Sequence, residues 1–149
     1  MKIINKRARF DYKLYDTYEA GIVLSGAEVK TLKRGSADLS QSYAKIIGDE
    51  AFLINVNIPI QGIEGQKPTR TRKLLLKRSE IALIKNKIKI KKLTLVPTKL
   101  YTRGLLIKAE LALAKAKKKH QKKETLKKRD IEREIERELR GEKDRMRGR

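Results

Sequence analysis

Apolar residues that can form a folded core occur only in the first part of this 149-residue chain. Residues 1–114 contain short apolar runs separated by turns with glycine or proline, whereas residues 115–149 contain 16 Lys or Arg and 8 Asp or Glu. We therefore predict a folded domain over residues 1–114 and a basic C-terminal tail over residues 115–149. A segment of this length can form one stable domain, but it is too short to form two.

The pattern within the first part is typical of a small antiparallel β protein. Residues 105–113 alternate apolar and polar side chains with the period of two that marks a strand with one solvated face. Gly48-Asp49 lies between two β-rich runs and predicts a hairpin, and Ser25 and Glu28 have the spacing of a capping box. The predicted strands are 19–24, 41–47, 51–57, 72–76, 93–96, 98–102 and 105–113, and the predicted helices are 26–34 and 79–87, the second capped by Ser79. The fold class that we predict is mainly β, a small antiparallel OB-like barrel with short flanking helices.

The tail has a different pattern. Lysines occupy most of residues 115–123, and like charges at this density keep a segment extended until a partner neutralises them. Within residues 124–140, Ile131, Ile135 and Leu139 form one helical stripe. Three apolar residues do not hold a helix in water, because isolated helices of about 12–15 residues are only marginally stable. We predict a tail that is disordered when free and helical when bound.

The charge of the chain indicates its class of partner. The formal net charge is +21, of which +13 falls in residues 1–114 and +8 in the tail. So basic a chain favours nucleic acid over a membrane or an acidic protein, because each neutralised phosphate releases condensed counterions. No apolar run approaches the roughly 20 residues that span a bilayer, and the N-terminus lacks the apolar segment of a signal peptide. We expect a cytoplasmic protein without membrane association.

No catalytic or metal site is predicted. The chain has no cysteine, and its one histidine, His120, lies in a lysine run where nothing orients it. Gly21 and Gly26 have the spacing of a phosphate-binding loop, but Ala27-Glu28 stands where that loop requires lysine and a hydroxyl residue. No Gly-x-Ser-x-Gly motif is present. The pattern predicts a protein that is not an enzyme and has no cofactor.

Three segments are candidates for RNA contact. In residues 5–12 cationic side chains alternate with Phe10 and Tyr12, so phosphate contacts and base stacking can combine; the alternative is that both rings belong to the core. In residues 115–123 the ring of His120 can stack on a base and gain charge near neutral pH; the alternative is an exposed histidine without a role.

The third segment is residues 69–76. Arg70 and Arg72 are expected on one side of a strand, where they would form a paired phosphate clamp. The alternative is a strand edge protected by charge. The three leucines at 74–76 require at least one to face outward if the segment is a strand, which predicts a small apolar spot beside the arginines.

Taken in order, these segments resemble the small protein B family (SmpB, also called SsrA-binding proteins), the tmRNA-binding proteins of bacterial trans-translation. The most specific motifs are Glu19-Ala-Gly followed by Glu28-Val-Lys, and Arg70-Thr-Arg-Lys-Leu-Leu-Leu. The stretches that carry the resemblance are 5–12, 19–30, 38–44, 69–76, 93–101 and 110–115.

The resemblance implies an OB-like barrel that binds the tRNA-like domain of tmRNA around its D-loop and elbow. It assigns direct contacts to Asn5, Glu19 and Leu75, and backbone contacts to the cations Lys6, Arg7, Arg70, Arg72 and Lys73. A carboxylate repels phosphate, so Glu19 is expected to accept hydrogen bonds from a base edge and to add selectivity rather than bulk affinity.

For the tail, the resemblance implies a helix in the empty mRNA channel and decoding centre of a stalled ribosome, with His120 in the place of a ring that stacks at that centre. The ribosome-binding residues would be Lys115, Lys117, Lys118, His120, Lys122, Lys123, Lys127, Lys128 and Arg129. The chain departs from the family pattern at Ala116, where glycine is common, at Gln121, where aspartate is common, and at Phe10, where histidine is frequent.

The resulting hypothesis is a factor that binds tmRNA as a monomer and delivers it to the small subunit of ribosomes stalled without a codon. The alternative is a structural basic ribosomal protein with an RNA-binding barrel and arm, permanently assembled into the ribosome. An RNA-processing enzyme is a third alternative, but no set of residues in the chain explains turnover.

Overall fold

The structure, a computed structural model, describes residues 1–60 and 67–118, and Arg133. Residues Met1–Ala116 form one compact unit, and Lys117–Arg149 form another. Within residues 1–60 and 67–116, the first unit contains seven strands and three helices: β1 (Lys2–Ile4), α1 (Lys6–Asp11), β2 (Tyr12–Ile22), α2 (Gly26–Lys33), β3 (Tyr43–Ile47), β4 (Glu50–Ile54), β5 (Arg72–Leu75), α3 (Arg78–Lys91), β6 (Thr94–Arg103) and β7 (Leu106–Ala116).

Six of the strands close into an antiparallel barrel. They follow the order β6-β3-β4-β5-β2-β7, and β7 pairs back with β6. The short strand β1 pairs with Lys99–Tyr101 of β6, on the edge where β3 pairs only at Leu95. Closure removes the unpaired edges that an open sheet of six strands would expose. The predicted fold class, a mainly β OB-like antiparallel barrel, is confirmed.

The core consists of the inward-facing side chains of the strands together with Leu32 of α2 and Ile84 of α3. In β7 the residues Ile107, Ala109, Leu111 and Leu113 are all buried, as the alternation in the sequence predicts. Burying one such leucine contributes about 1.5–3 kcal/mol. A second, smaller cluster joins Ala8 of α1 to Val96 and Ala114, so both faces of β7 are covered near its end. Tyr12 packs against this cluster, which supports the core alternative for that ring.

Strands β2 and β6 differ most from the strands that the sequence predicts. Strand β2 begins at Tyr12 instead of residue 19, and its pairing with β7 shifts register between Leu14 and Thr17. The two strands predicted around Pro97 are one strand, because a register shift between Pro97 and Lys99 accommodates the proline. Proline has no N–H to donate to a ladder, so such an irregularity is where a strand tolerates it.

The helix ends show which capping predictions hold. In α2 the Glu28 N–H donates to Ser25 Oγ at 3.3 Å and the Ser25 N–H donates to Glu28 Oε1 at 2.9 Å, which is the predicted capping box. In α3 the predicted cap at Ser79 is wrong, because Lys77 is the capping residue and its N–H donates to Glu80. Helix α3 also continues to Lys91, where a left-handed Lys92 ends it. The hairpin at Gly48-Asp49 is confirmed, with Gly48 at a φ of 62°.

Strand β7 continues to Ala116, and the division into a domain over 1–114 and a tail over 115–149 stays a prediction. The predicted tail helix lies outside the described residues except for Arg133. Among residues 1–60 and 67–118, no helix is long and apolar enough to cross a membrane.

Candidate nucleic-acid interface

A group of polar side chains covers the outer side of the barrel where β2, β7 and β6 lie next to one another. Glu19 pairs with Glu110, which pairs with Lys99. Gly21 pairs with Lys108, which pairs with Tyr101. Directly opposed residues on neighbouring strands point to the same side of a sheet. The residues of this surface, called the polar face below, are Glu19, Lys99, Tyr101, Arg103, Lys108 and Glu110.

The Glu19 carboxylate is held by two donors on β6. The Tyr101 hydroxyl donates to Glu19 Oε2 at 2.5 Å, and Arg103 Nη1 donates to Oε1 at 2.9 Å and to Oε2 at 2.8 Å. The Tyr101 hydrogen bond, helped by Arg103, lowers the pKa of the Glu19 carboxyl below its ordinary value. Partial burial and the bond to Glu19 raise the pKa of Tyr101 to about 12. At neutral pH the site therefore contains an ionised carboxylate and a protonated phenol.

Glu110, the second acid of the polar face, also has a cationic partner. Lys99 Nζ lies 2.9 Å from Glu110 Oε2 and 5.3 Å from the centre of the Tyr101 ring. A lysine over a tyrosine ring is attracted by the negative face of the ring. Since both carboxylates of this surface have a cationic partner, the polar face does not present unbalanced negative charge to a phosphate backbone.

Leu75 lies beside the polar face. Its strand, β5, pairs with the end of β2 so that Leu75 stands opposite Gly21, two residues after Glu19 on the same side of the strand. A Cβ placed on Gly21 would lie 3.2 Å from the Leu75 Cβ, so the glycine gives this leucine room against β2. Leu75 is 55% exposed and Leu74 is buried, which confirms that one of the three leucines faces outward. The structure thus brings Glu19 and Leu75 onto one surface.

Arg70 and Arg72 do not form the predicted phosphate clamp. Arg72 faces inward at the start of β5 and is fully buried together with Glu28. Its Nε donates to Glu28 Oε2 at 2.7 Å, and Nη1 and Nη2 donate to the carbonyl oxygens of Val56 and Pro68 at 2.5 and 2.8 Å. Arg70 precedes the strand and bonds to the other carboxylate oxygen, Oε1. The prediction was wrong because a buried acid on α2, Glu28, binds both guanidinium groups; these three residues are called the Glu28 cluster below.

The negative charge of Glu28 is more than balanced inside the cluster, which contains two guanidinium groups. Burial by itself raises the pKa of the Glu28 carboxyl, but hydrogen bonds from the Ser25 N–H, Arg70 and Arg72 outweigh it, so the pKa lies below the ordinary value. Burial lowers the pKa of Arg72, and Glu28 opposes that effect. The cluster joins α2 to β5 and to the segment that carries Val56 and Pro68, and it serves the fold.

Asn5 also has an internal role in the structure. It is 5% exposed, and its Nδ2 donates to the carbonyl oxygens of Leu39 at 3.1 Å and Pro97 at 2.8 Å. Its Oδ1 accepts the Ala8 N–H at 3.2 Å and caps α1. Lys6 and Arg7 on that helix are exposed, with Arg7 Nε 3.3 Å from Asp11. The predicted direct contact through Asn5 finds no support in this geometry, whereas α1 presents its two cations to solvent.

Some of the remaining predicted RNA and ribosome contacts are exposed, and others lie outside the described residues. Lys73 on β5 is exposed and lies 3.6 Å from Glu50, and Lys115 at the end of β7 is exposed. Lys117 and Lys118 lie within the described residues, whereas His120, Lys122, Lys123, Lys127, Lys128 and Arg129 lie outside them. In the part of the chain that the structure describes, no group of three or more His, Cys, Asp or Glu side chains is placed to hold a metal ion.

Sequence reasoning missed Tyr101 and Arg103. Together with Lys99 they occur at every second position of β6, the period of one strand face. That signal is present in the sequence, but a strand divided at Pro97 does not reveal its connection to Glu19 on β2. Pairing through β7 is what brings the two strands to one surface.

Comparisons with known proteins find relatives in one family. The family model described as SmpB protein matches residues 2–141. The SsrA-binding protein of Gloeobacter violaceus is 46% identical over 117 residues, which are 76% of this chain and 77% of that protein. The SsrA-binding protein of Thermosipho africanus is 45% identical over 127 residues, 80% of this chain and 85% of the relative.

Similarity extends to a solved structure described as "tmRNA-SmpB: a journey to the center of the bacterial ribosome". That structure has a TM-score of 0.67 and 40% sequence identity, and the match covers 79% of this chain and 85% of the other. Since the family model matches well over half of the sequence and the relatives are this similar over most of it, the chain belongs to the SmpB family.

Proposed function

We propose that this chain binds the tRNA-like domain of tmRNA and delivers it to ribosomes stalled without a codon, in trans-translation. The curated relatives are SsrA-binding proteins, and the similar solved structure concerns tmRNA-SmpB on the bacterial ribosome. The observation that carries the proposal is the exposed pair Glu19 and Leu75, which occupies one side of the barrel beside Lys73 and the polar face.

Each part of this surface contributes a different kind of contact. Leu75 offers an apolar spot against which a sugar or base packs, and Glu19 accepts a hydrogen bond from a base edge. Lys73 on β5, and Lys6 and Arg7 on α1, supply charge for phosphates. Phosphate contacts hold the RNA without reading it, so selectivity rests with Glu19 and Leu75.

Arg70 can contact a phosphate if its side chain leaves Glu28. Its side chain is 32% exposed, whereas that of Arg72 is fully buried. If Arg70 turns to a phosphate, Glu28 keeps the Ser25 N–H and the Arg72 guanidinium as donors. The fold therefore tolerates the movement of Arg70 but not that of Arg72, and within the Glu28 cluster we assign RNA contact to Arg70 alone.

The tail acts after delivery in this proposal. Residues 115–149 enter the empty mRNA channel and reach the decoding centre, with His120 stacking there and the neighbouring lysines on ribosomal RNA. The protein works in the cytoplasm as a monomer on each RNA, and its role includes no catalytic step and no cofactor. A variant that ends at Lys118 keeps all of β7 and tests this division, since it should retain affinity for tmRNA and lose ribosome rescue.

The experiment that tests the proposal compares two RNAs of equal length, a tRNA-like fragment of tmRNA and an unrelated hairpin. The dissociation constant of each is measured across a series of salt concentrations. We expect a preference for the tRNA-like fragment that persists at high salt, because shape and base contacts do not depend on counterion release. Equal affinities that fall together as salt rises would contradict the proposal and favour the structural ribosomal protein instead.

A further inference from the structure

We propose that Tyr101 and Arg103 are positioning residues, which fix the Glu19 carboxylate so that it accepts one hydrogen bond from an RNA base. The inference rests on the proposed function, and it names two residues that the sequence resemblance does not assign to the RNA interface.

The Tyr101 and Arg103 side chains reach across a neighbouring strand to contact Glu19. Glu19 lies on β2, and Tyr101 and Arg103 lie on β6, with β7 between them. Neighbouring strands are about 4.8 Å apart, so the donors reach across a whole strand to a single carboxylate. Both contacts converge on Glu19, although Glu110 is the acid that β7 itself carries next to these residues.

The Glu19 carboxylate retains one acceptor position after it binds Tyr101 and Arg103. An ionised carboxylate has about four lone-pair positions. The Tyr101 hydroxyl occupies one of them and Arg103 Nη1 occupies two. One position is left, and the Glu19 side chain is 36% exposed, so a donor from outside has access to it. The arrangement fits one N–H of a base and has no acceptor position for a second.

Arg103 also balances the negative charge of Glu19. The bonds to Tyr101 and Arg103 keep Glu19 ionised, and the Arg103 guanidinium neutralises that charge on the surface. An acid without such a partner would repel the phosphates on either side of the base that it contacts. Exposed ion pairs contribute little to folding stability, so what this pair fixes is the orientation of the carboxylate.

The test is a double-mutant cycle on the full chain. Tyr101→Phe removes one hydroxyl and keeps the ring, Glu19→Gln removes the charge of the carboxylate, and a third variant contains both changes. The measured quantity is the ratio of the dissociation constants for the unrelated hairpin and the tRNA-like tmRNA fragment. We expect Tyr101→Phe to lower this ratio about 3- to 10-fold, the effect of one lost hydrogen bond. In the Glu19→Gln background it should lower the ratio no further, because the carboxylate that it positions is gone.

Two further arms separate positioning from a structural role. Tyr15→Phe removes a hydroxyl from an exposed tyrosine of β2, outside the polar face, and should leave the ratio unchanged. The pH dependence of the ratio, measured only where each variant is folded, gives a second readout that a merely structural role would not change. Loss of the Tyr101 bond raises the pKa of Glu19 towards its ordinary value, so Tyr101→Phe should lose selectivity at a higher pH than the unchanged chain. Glu19→Gln is the control, because any pH dependence that it retains comes from groups other than Glu19, including those of the RNA.

Three results would overturn the inference. If Tyr101→Phe binds as the unchanged chain does, Tyr101 positions nothing. If the effects of Tyr101→Phe and Glu19→Gln multiply, Tyr101 contacts RNA independently of Glu19. If Arg103→Gln weakens both RNAs equally in the Glu19→Gln background, Arg103 is a phosphate contact. An unchanged chain that lacks selectivity would instead overturn the proposed function, and the inference with it.

Discussion

Two carboxylates in this barrel bind comparable donors in opposite environments. Glu28 is fully buried and binds Arg70 and Arg72, whereas Glu19 is about one third exposed and binds Tyr101 and Arg103. In the Glu28 cluster the second arginine also holds two backbone carbonyls, so its bonds are all internal. In the Glu19 site an acceptor position remains open to solvent. Burial, rather than residue type, therefore decides which acid maintains the fold and which is available to a ligand.

The difference has an energetic basis. A buried ion pair contributes little net stability, because desolvation offsets the attraction, but removing one partner leaves an uncompensated charge in the interior. An exposed pair is solvated whether or not it forms. Substitutions in the Glu28 cluster should therefore change the free energy of unfolding, and substitutions at the Glu19 site should change RNA selectivity.

The largest effect is expected at Arg72. Arg72→Met leaves Glu28 with Arg70 and the Ser25 N–H only. It also removes the Arg72 donor from the Val56 carbonyl and from the Pro68 carbonyl, which keeps the Ile58 N–H. The expected loss is about 3–5 kcal/mol of unfolding free energy, measured by urea denaturation. Arg70→Met is the matched control and should lose much less, because Arg70 is partly exposed. Equal losses in the two variants would show that burial does not distinguish them.

Acid should act on the same cluster. The pKa of Glu28 in the folded chain lies below its ordinary value of 4.5, so the stability that its ionised form contributes is fully present above that value. It is lost as the pH falls through the folded-state pKa. Glu28→Gln should be less stable at neutral pH and should have a flatter stability profile in acid. Parallel profiles from about pH 7 to about pH 3 would rule out this contribution of Glu28.

A smaller loss of stability is expected at Asn5. Asn5→Ala removes the cap of α1 and two buried hydrogen bonds, which together contribute about 1–3 kcal/mol. Asn5→Ser retains a capping oxygen and should recover part of the loss. Thermal unfolding of both variants, with Lys6→Ala as an exposed control on the same helix, measures the difference. A fully stable Asn5→Ala with weakened RNA binding would restore the direct contact that the resemblance implies.

Leu75 should affect binding and leave stability nearly unchanged. Leu75→Ala removes an exposed side chain beside Glu19, so the unfolding free energy should stay close to that of the unchanged chain, while preference for the tRNA-like RNA falls several-fold. The control is Leu105→Ala, which truncates a leucine that is 96% exposed in the β6–β7 turn. Unchanged RNA preference in Leu75→Ala would remove Leu75 from the interface.

The smallest effect is expected at Lys73. Its ion pair with Glu50 is long and exposed, so Lys73→Ala should not alter folding. As a phosphate contact it should weaken both RNAs equally and reduce the slope of log affinity against log salt by about one. A selective loss for the tRNA-like RNA would instead make Lys73 part of the recognition surface.

The sequence predicts those parts of the fold that repeat a local pattern. The alternation in β7, the hairpin at Gly48 and the capping box of α2 each depend on a few neighbouring residues, and all three are confirmed. Strand β2 begins seven residues before its predicted start, because its register shift interrupts the alternation. Strand β6 was divided because proline normally ends a strand, and a compensating irregularity cannot be seen in one sequence.

The site is harder to predict because its parts are distant in sequence. Arg72 lies 44 residues from Glu28. The local pattern predicts a charged strand at Arg72, but it gives no indication of the buried carboxylate with which Arg72 pairs. Tyr101 lies 82 residues from Glu19, and their contact depends on the order of β2, β7 and β6 around the barrel. Glu19 and Leu75 were assigned as RNA contacts through the resemblance to a family. Their position on one surface follows only from the pairing of Gly21 with Leu75.

The most direct test compares Glu19→Gln and Glu28→Gln in two assays, the free energy of unfolding and selectivity for the tRNA-like tmRNA fragment over an unrelated hairpin. Both substitutions remove one charge and keep the shape of the side chain. Our account predicts that Glu28→Gln is destabilised but keeps its selectivity under conditions where it is folded, whereas Glu19→Gln is as stable as the unchanged chain and loses selectivity. Retention of full selectivity by Glu19→Gln would contradict the account.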